Sequence, residues 1–271
     1  MLRCAAIAVA TLIAAACSGP PVGSSAGSTS APPAEPAAVA PVVVEGGELT
    51  VASYNVNFGL AGDGPTIEAI RALGADVVFL QETHRGWERP LRDALADDYP
   101  HIEFRHHRTR PGGLAVLSKL AFDAGDVIAE TAGSFPAWRV ELDSEIGRVQ
   151  VLNVHLYPPV SAARARLRNG QLEALAELLA PLPDPLVVLG DFNVSPYSPY
   201  LAAWLARTGL RDARRGFGLD FTWPAHFPPL GVPIDHILVS ASLGVAEHRR
   251  LPAFGSDHYP VLARLVQDHA T

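Results

Sequence analysis

The chain has 271 residues and a mass of 28.7 kDa, room for one large core and a tail. Hydrophobic residues make up 48% and charged residues 18%, which excludes a wholly disordered or coiled-coil protein. The formal charge of −7 excludes a nucleic-acid coat protein with a strongly basic face, but not an enzyme that grips a few phosphates.

Met1-Leu2-Arg3 supplies one positive charge, and Cys4 to Ala16 is a run of apolar and small residues apart from Thr11. The run is too short for a membrane span and reads as an export signal over 1–17. Its end, Ala14-Ala15-Ala16-Cys17, resembles a bacterial lipobox, which implies cleavage before Cys17 and a lipid anchor on it. An ordinary signal cut after an alanine is the other reading. Residues 18–47 are rich in Pro, Ala, Ser and Gly and predict a disordered tether with a reach of about 30 Å. Only Arg3, Glu35 and Glu45 are charged before residue 47, so the remainder carries 20 basic and 26 acidic residues. Both cysteines, Cys4 and Cys17, lie in the leader, so the domain over 48–271 has no disulfide and no thiolate metal site.

The domain reads as strands alternating with helices. Leu49 to Val56 alternates as a strand, Pro65 to Leu73 is a short amphipathic helix stopped by Gly74, and Asp76 to Leu80 is a buried-type strand. A helix over Trp87 to Ala96 precedes strands at 101–105, 114–117, 137–142 and 149–156. Ser161 to Leu179 is the longest helix, followed by the buried strand Pro185 to Leu189 and a helix over Pro199 to Arg207. Strands at 234–239, 245–249 and 261–265 close the chain. The mixture predicts one α/β sandwich, or a pair of sheets flanked by helices.

Polar residues recur where the strands end. Asn55 closes one strand, Glu82 follows the next, and His155 sits in VLNVHL. Asp191 and Asn193 follow PLVVL as GDFN, Asp235-His236 open IDHILVS, and Asp257-His258 precede the last strand. One such residue is usually a cap or turn former. Six endings together point to a cation or to proton handling, since an unpaired desolvated carboxylate costs several kcal/mol.

The set SYNVN, QE, NVHL, GDFN, IDH and SDHYP, in that order, resembles the endonuclease/exonuclease/phosphatase (DNase I-like) superfamily, in the form of an exported bacterial lipoprotein. Its members include secreted DNases, abasic-site endonucleases, inositol-polyphosphate phosphatases and sphingomyelinases. The resemblance covers Leu49 to Leu265 and implies a four-layer α-β-β-α fold, two mixed sheets packed face to face with helices outside. FTWPAHFPPLGVPIDHILVS also resembles the membrane-associated bacterial branch. By resemblance, Asn55 and Glu82 match the principal metal ligands, for Mg²⁺ with Mn²⁺ able to substitute, and Asp257 matches a further metal-side carboxylate. Asp191 matches the residue that orients or deprotonates water, and Asn193 an amide that holds phosphate oxygens. His258 matches a phosphate-binding or proton-relaying histidine, Asp235 its carboxylate partner, and His155 a phosphate contact. Asp235 and Asp257 also suit turns, and His236 suits a packed structural role. Asn57 stands where the abasic-site branch carries aspartate and His155 where it carries tyrosine, which argues against that activity.

The resemblance implies a monomeric hydrolase of phosphoesters working outside the cytoplasm, on nucleic acid or small phosphodiesters. A phosphatase or phospholipase-like enzyme acting on lipid headgroups at the membrane is the alternative, and an inactive binding lipoprotein a remote one. The sequence shows no aromatic-rich insertion of the kind that enters lipid, which favours a soluble substrate. The basic runs Arg105 to Arg110 and Arg211, Arg214, Arg215 read either as clamps for flanking phosphates or as solvated loops.

Overall fold

The computed structural model describes residues 46–60, 62–106, 113–128, 137–218 and 220–268. The export signal and nearly all of the tether therefore lie outside the described residues, as do four members of the Arg105 to Arg110 run, residues 107–110.

Twelve strands form two six-stranded sheets. The first contains β1 (Glu48–Asn55), β2 (Val77–Thr83), β3 (His101–Arg105), β4 (Gly113–Ser118), β11 (Leu243–Arg250) and β12 (Val261–Gln267), in the order β11-β12-β1-β2-β4-β3. The second contains β5 (Phe122–Ile128), β6 (Ala137–Ser144), β7 (Gly147–His155), β8 (Leu186–Asp191), β9 (Arg211–Asp212) and β10 (Asp235–Val239), in the order β5-β6-β7-β8-β10-β9. Each sheet has one parallel pair, β1 with β2 and β7 with β8, and its other ladders are antiparallel.

Side-chain alternation sorts each strand onto two faces. Leu49, Val51, Val77, Phe79, Val151, Val187, Leu189 and Ile237 point between the sheets and form the central core. The alternate residues of the first sheet, such as Ala52, Val78 and Leu80, pack outward on helices α1 (Asp63–Leu73) and α2 (Arg85–Leu95). Those of the second, such as Leu152, Val188 and Leu238, pack on α3 (Ala162–Leu179) and α4 (Pro199–Thr208). The result is the expected α-β-β-α sandwich. Each of these strands is apolar on both faces because each is covered on both.

Two strands were not legible in the sequence. In β5, Asp123, Gly125 and Asp126 interrupt the alternation, and only pairing to β6 at the sheet edge makes it a strand. The two-residue β9 exists through its ladder to Leu238 and Val239. Among the described residues no helix is long and apolar enough to cross a membrane.

Candidate active site

Register delivers the polar strand ends to one place. In the second sheet His155 lies beside Asp191, and Asp191 beside Asp235, across three adjacent strands. All three share the parity of the central core and so face the first sheet. In the first sheet Asn55 shares the parity of Leu49 and Val51 and meets them from the other side.

Glu82 breaks this rule. Alternation through Val78 and Leu80 would send its side chain outward to the helices. Instead the ladder shifts register between Gln81 and Thr83, and Glu82 adopts φ 61°. The bulge turns the carboxylate inward, where Oε1 accepts from Asn55 Nδ2 at 3.1 Å. Gly113 permits this geometry, because a Cβ there would collide with the Thr83 carbonyl. Gly190, at φ 137°, likewise lets β8 pass the Val154 carbonyl just before Asp191. Among the described residues, the five non-glycine residues with positive φ are Asn57, Phe58, Glu82, Asn193 and Phe254. Each lies at or just beyond this sheet edge, so backbone strain is concentrated around the polar cluster.

Within the cluster, Asn55 Nδ2 also donates to Asp191 Oδ2 at 3.0 Å, tying the two sheets together. His155 Nε2 lies 3.5 Å from Glu82 Oε1 and 3.7 Å from Asp191 Oδ2. His258 Nε2 lies 3.8 Å from Asp191 Oδ2, while its Nδ1 lies 2.9 Å from Asp235 Oδ2. Two triads result, Glu82–His155–Asp191 and Asp191–Asp235–His258, each with its ligand atoms within 4.8 Å of one another. Burial pushes the Glu82 carboxyl up to about 7, against the opposing pull of Asn55 and His258. Burial likewise raises Asp191, with the Asp235 and Glu82 charges adding to it and His258 opposing. For His258 burial acts downward, but Asp235 and Asp191 outweigh it and hold the imidazolium well above its usual range.

The remaining expected residues sit close by with different partners. Asn193, at φ 50°, donates its backbone N–H to Asp191 Oδ1 at 2.9 Å and its Nδ2 to the Leu156 carbonyl at 2.9 Å. Asp257 belongs to neither triad; its Oδ2 accepts from Trp223 Nε1 at 3.1 Å, and its charge is felt at Glu82. Trp223 thus packs and positions a carboxylate at once, its ring 6.5 Å from that of His258. His236 is the packed histidine expected, bonded through Nδ1 to Asp212 and through Nε2 to the Val194 carbonyl. Four described members of the basic runs have partners within the fold, while Arg215 is exposed. Arg105 lies over the Trp138 ring at 4.5 Å and His106 bonds Glu88. Arg211 donates to the carbonyls of Ala241 and Leu243, and Arg214 pairs with Asp212.

Sequence reasoning missed the supports. Gln81 Nε2 donates to Asn153 Oδ1 at 2.8 Å and to Ser53 Oγ at 3.1 Å, a buried polar layer that bridges the sheets directly under the site. All three share the inward parity of Asn55 and His155, which was the available signal. Ser256 Oγ donates to the Asn55 carbonyl and accepts from the His258 N–H, and Thr222 Oγ1 accepts from the Asp235 N–H. The bonds to the Asn55 carbonyl and the Asp235 N–H join separate segments, and no local pattern announces them.

The family model described as the endonuclease/exonuclease/phosphatase family matches residues 52–258, from β1 to the histidine of the second triad. The chain belongs to that family. Among solved structures, an endonuclease/exonuclease/phosphatase from Beutenbergia cavernae is similar at 26% identity and TM-score 0.68, over 83% of this chain and 72% of that one. A humanized D. rerio TDP2 carrying 14 mutations is similar at 18% identity and TM-score 0.63, over 80% of this chain and 98% of that one. A family member from Bacteroides vulgatus gives 19% identity and TM-score 0.63, over 82% and 99%. The latter two show the fold alone. No curated protein matches the chain. As a member of the endonuclease/exonuclease/phosphatase family, the protein is a metal-dependent phosphoester hydrolase.

Proposed function

We propose that the protein is an extracytoplasmic, Mg²⁺-dependent phosphodiesterase, nuclease action included, in which water attacks phosphorus in line without a covalent intermediate. The observation that carries this reading is the pair of triads sharing Asp191, which places three carboxylates and two imidazoles within hydrogen-bond or near-contact range. The donor set fits a hard divalent cation: the partly buried Glu82 and the buried Asp191 are crowded carboxylates whose proton affinity is raised, and a cation would relieve both. Glu82 and Asn55 would hold it with Asp257 behind them, and Mn²⁺ could substitute. In the arrangement observed, Asn55 turns Nδ2 toward the carboxylates while its Oδ1 accepts from the Asn57 N–H, so serving as a ligand requires the amide to turn over. The ion would supply Lewis-acid polarisation of a phosphoryl oxygen and charge for the departing alkoxide.

The chain's own groups do the rest. Asp191 Oδ1 is fixed by the Asn193 N–H, which leaves Oδ2 turned into the site to orient water and take its proton. His258 presents a protonated Nε2 to phosphate oxygens, its tautomer and angle set by Asp235 on Nδ1. His155 offers a second imidazole from the opposite side of Asp191. Asn193 keeps one amide proton beyond its bond to Leu156 for a phosphate oxygen. The leader supports export with Cys17 as a lipid anchor, and the protein acts as a monomer. Glu82→Gln should abolish metal-dependent cleavage of bis-p-nitrophenyl phosphate with the fold retained by circular dichroism. Full activity in that variant would refute the assignment.

A further inference from the structure

Helix α3 buries a charge where its core pattern has room for a leucine. Its inward stripe runs through Leu172, Leu175 and Leu179, at spacings of three and four residues. One turn before Leu172 the same stripe reaches Arg168, which is only 5% exposed. An apolar side chain stands next to it in Leu167, yet the helix turns that one outward. A guanidinium withdrawn from water is costly unless its donors are bonded, so packing alone does not account for the position.

The bonds it makes lead to the site. Arg168 Nη1 donates to the Asn193 carbonyl and Nε to Asn169 Oδ1. Asn193 is in the left-handed region at φ 50°, a strained conformation for a residue with a side chain, which persists where its surroundings impose it. From there its N–H reaches Asp191 Oδ1 and its Nδ2 the Leu156 carbonyl. The same helix also holds the neighbouring loop: Gln171 Oε1 accepts from the Tyr157 N–H, and Arg164 lies over the Tyr157 ring at 5.0 Å. Arg164, Arg168 and Gln171, at positions i, i+4 and i+7, thus form one line of contacts to both loops, after β7 and after β8, that leave the site edge.

We propose that Arg168 is a positioning residue for phosphoester hydrolysis. It acts through Asn193: by fixing that backbone it sets the angle at which the Asn193 N–H grips Asp191 Oδ1, and so where Oδ2 meets the attacking water. A misplacement of about 1 Å can cost on the order of a hundredfold in rate, so support behind a catalytic group is part of its function. The effect on turnover rests on the hydrolase reading, whereas the hold on the loop stands on the bonds themselves. In the sequence Arg168 looks like one more surface arginine of ARARLR, and only the stripe through Leu172 sets it apart.

The test separates positioning from packing in the full chain. Arg168→Met fills the stripe without a donor and should lower kcat on bis-p-nitrophenyl phosphate by about tenfold to a hundredfold, with a smaller change in KM. Arg168→Lys keeps a charge and one donor for the carbonyl and should retain clearly more activity than Arg168→Met. Leu172→Ala, a truncation one turn along the same stripe, should lower the urea midpoint yet leave kcat of the folded fraction within about threefold. Exchange of the Asn193 amide hydrogen should quicken by about tenfold or more in Arg168→Met while the amides of β7 stay protected. Turnover in Arg168→Met close to wild type, equal losses in the Met and Lys variants, an equal loss of kcat in Leu172→Ala, or unchanged exchange at Asn193 would overturn the proposal. A wild-type chain that cleaves nothing would refute the hydrolase reading instead, and exchange of the Asn193 amide would then decide whether Arg168 holds the loop.

Discussion

Strand β10 carries two consecutive residues that each take part in a buried carboxylate–imidazole pair, on opposite faces of one sheet. Asp235 points between the sheets and holds His258 Nδ1 at 2.9 Å; His236 points outward and meets Asp212 at 3.2 Å. The chemistry of the pairs is nearly the same, and the difference lies in the second ring nitrogen. His236 Nε2 is bonded to the Val194 carbonyl at 2.8 Å, so both ring nitrogens are taken up within the fold. His258 Nε2 has only a 3.8 Å approach to Asp191 and faces the other triad. One pair is closed and joins β9 and β10 to the loop after β8. The other is open, and its proton can be put to use. A carboxylate beside an imidazole is therefore no evidence of catalysis until both nitrogens have been accounted for.

The comparison can be broken most sharply at the open pair. His258→Asn keeps a donor for Asp235 but removes the second nitrogen, and turnover should fall by a hundredfold or more, in line with acid–base contributions. A change below threefold in kcat would close the pair's catalytic case. Asp235→Asn should cost about tenfold to a hundredfold by loosening the ring, with a pH–rate profile whose basic limb moves to lower pH as the imidazolium loses its counter-charge. An unchanged profile would make Asp235 merely structural.

At the closed pair the effect should appear in stability instead. Asp212→Ala leaves His236 and Arg214 without their shared partner and should destabilise the fold by about 3 to 5 kcal/mol in urea unfolding, while kcat of the folded fraction is preserved. Loss of turnover without loss of stability would invert the two roles. The smallest expected effect is a pH response near this pair. Burial, only partly offset by Asp212, drives the His248 imidazole down to about 4, so the folded state resists the proton that the unfolded chain accepts. The His248 contribution to stability should be full above the ordinary histidine value and be lost as pH falls from about 6.5 toward 4, by up to about 3 kcal/mol, while the raised Glu82 and Asp191 carboxyls slope the other way in that window. The depressed Asp212 carboxyl adds a further decline only as pH falls below the ordinary carboxylate range. His248→Phe should flatten the upper part of that curve, and a slope identical to wild type would assign it to other groups.

Much of this was legible in the sequence because strand ends and alternation are local. LTVASYNV, DVVFLQE, VLNVHL and PLVVLGDFN each announce a strand ending in a polar group, and register then brings those groups together without further instruction. Glu82 was found for an incomplete reason, since period-two alternation points it to the wrong face and only the bulge at φ 61° corrects this. Asp257 was matched by resemblance to a metal-side carboxylate, and its bond from an indole 34 residues away could not be read locally. Ser256, Thr222 and the Gln81–Asn153 bridge were silent for the same reason: their partners are set by tertiary packing.

The central claim is that the shared Asp191 cluster cleaves phosphodiesters with a divalent metal. Its most direct test is cleavage of bis-p-nitrophenyl phosphate by the full chain, titrated with Mg²⁺ and then with EDTA, beside Glu82→Gln. The account predicts turnover that rises with Mg²⁺, is abolished by EDTA, returns on adding metal back, and is absent from Glu82→Gln. Cleavage indifferent to EDTA, or retained in Glu82→Gln, would contradict it.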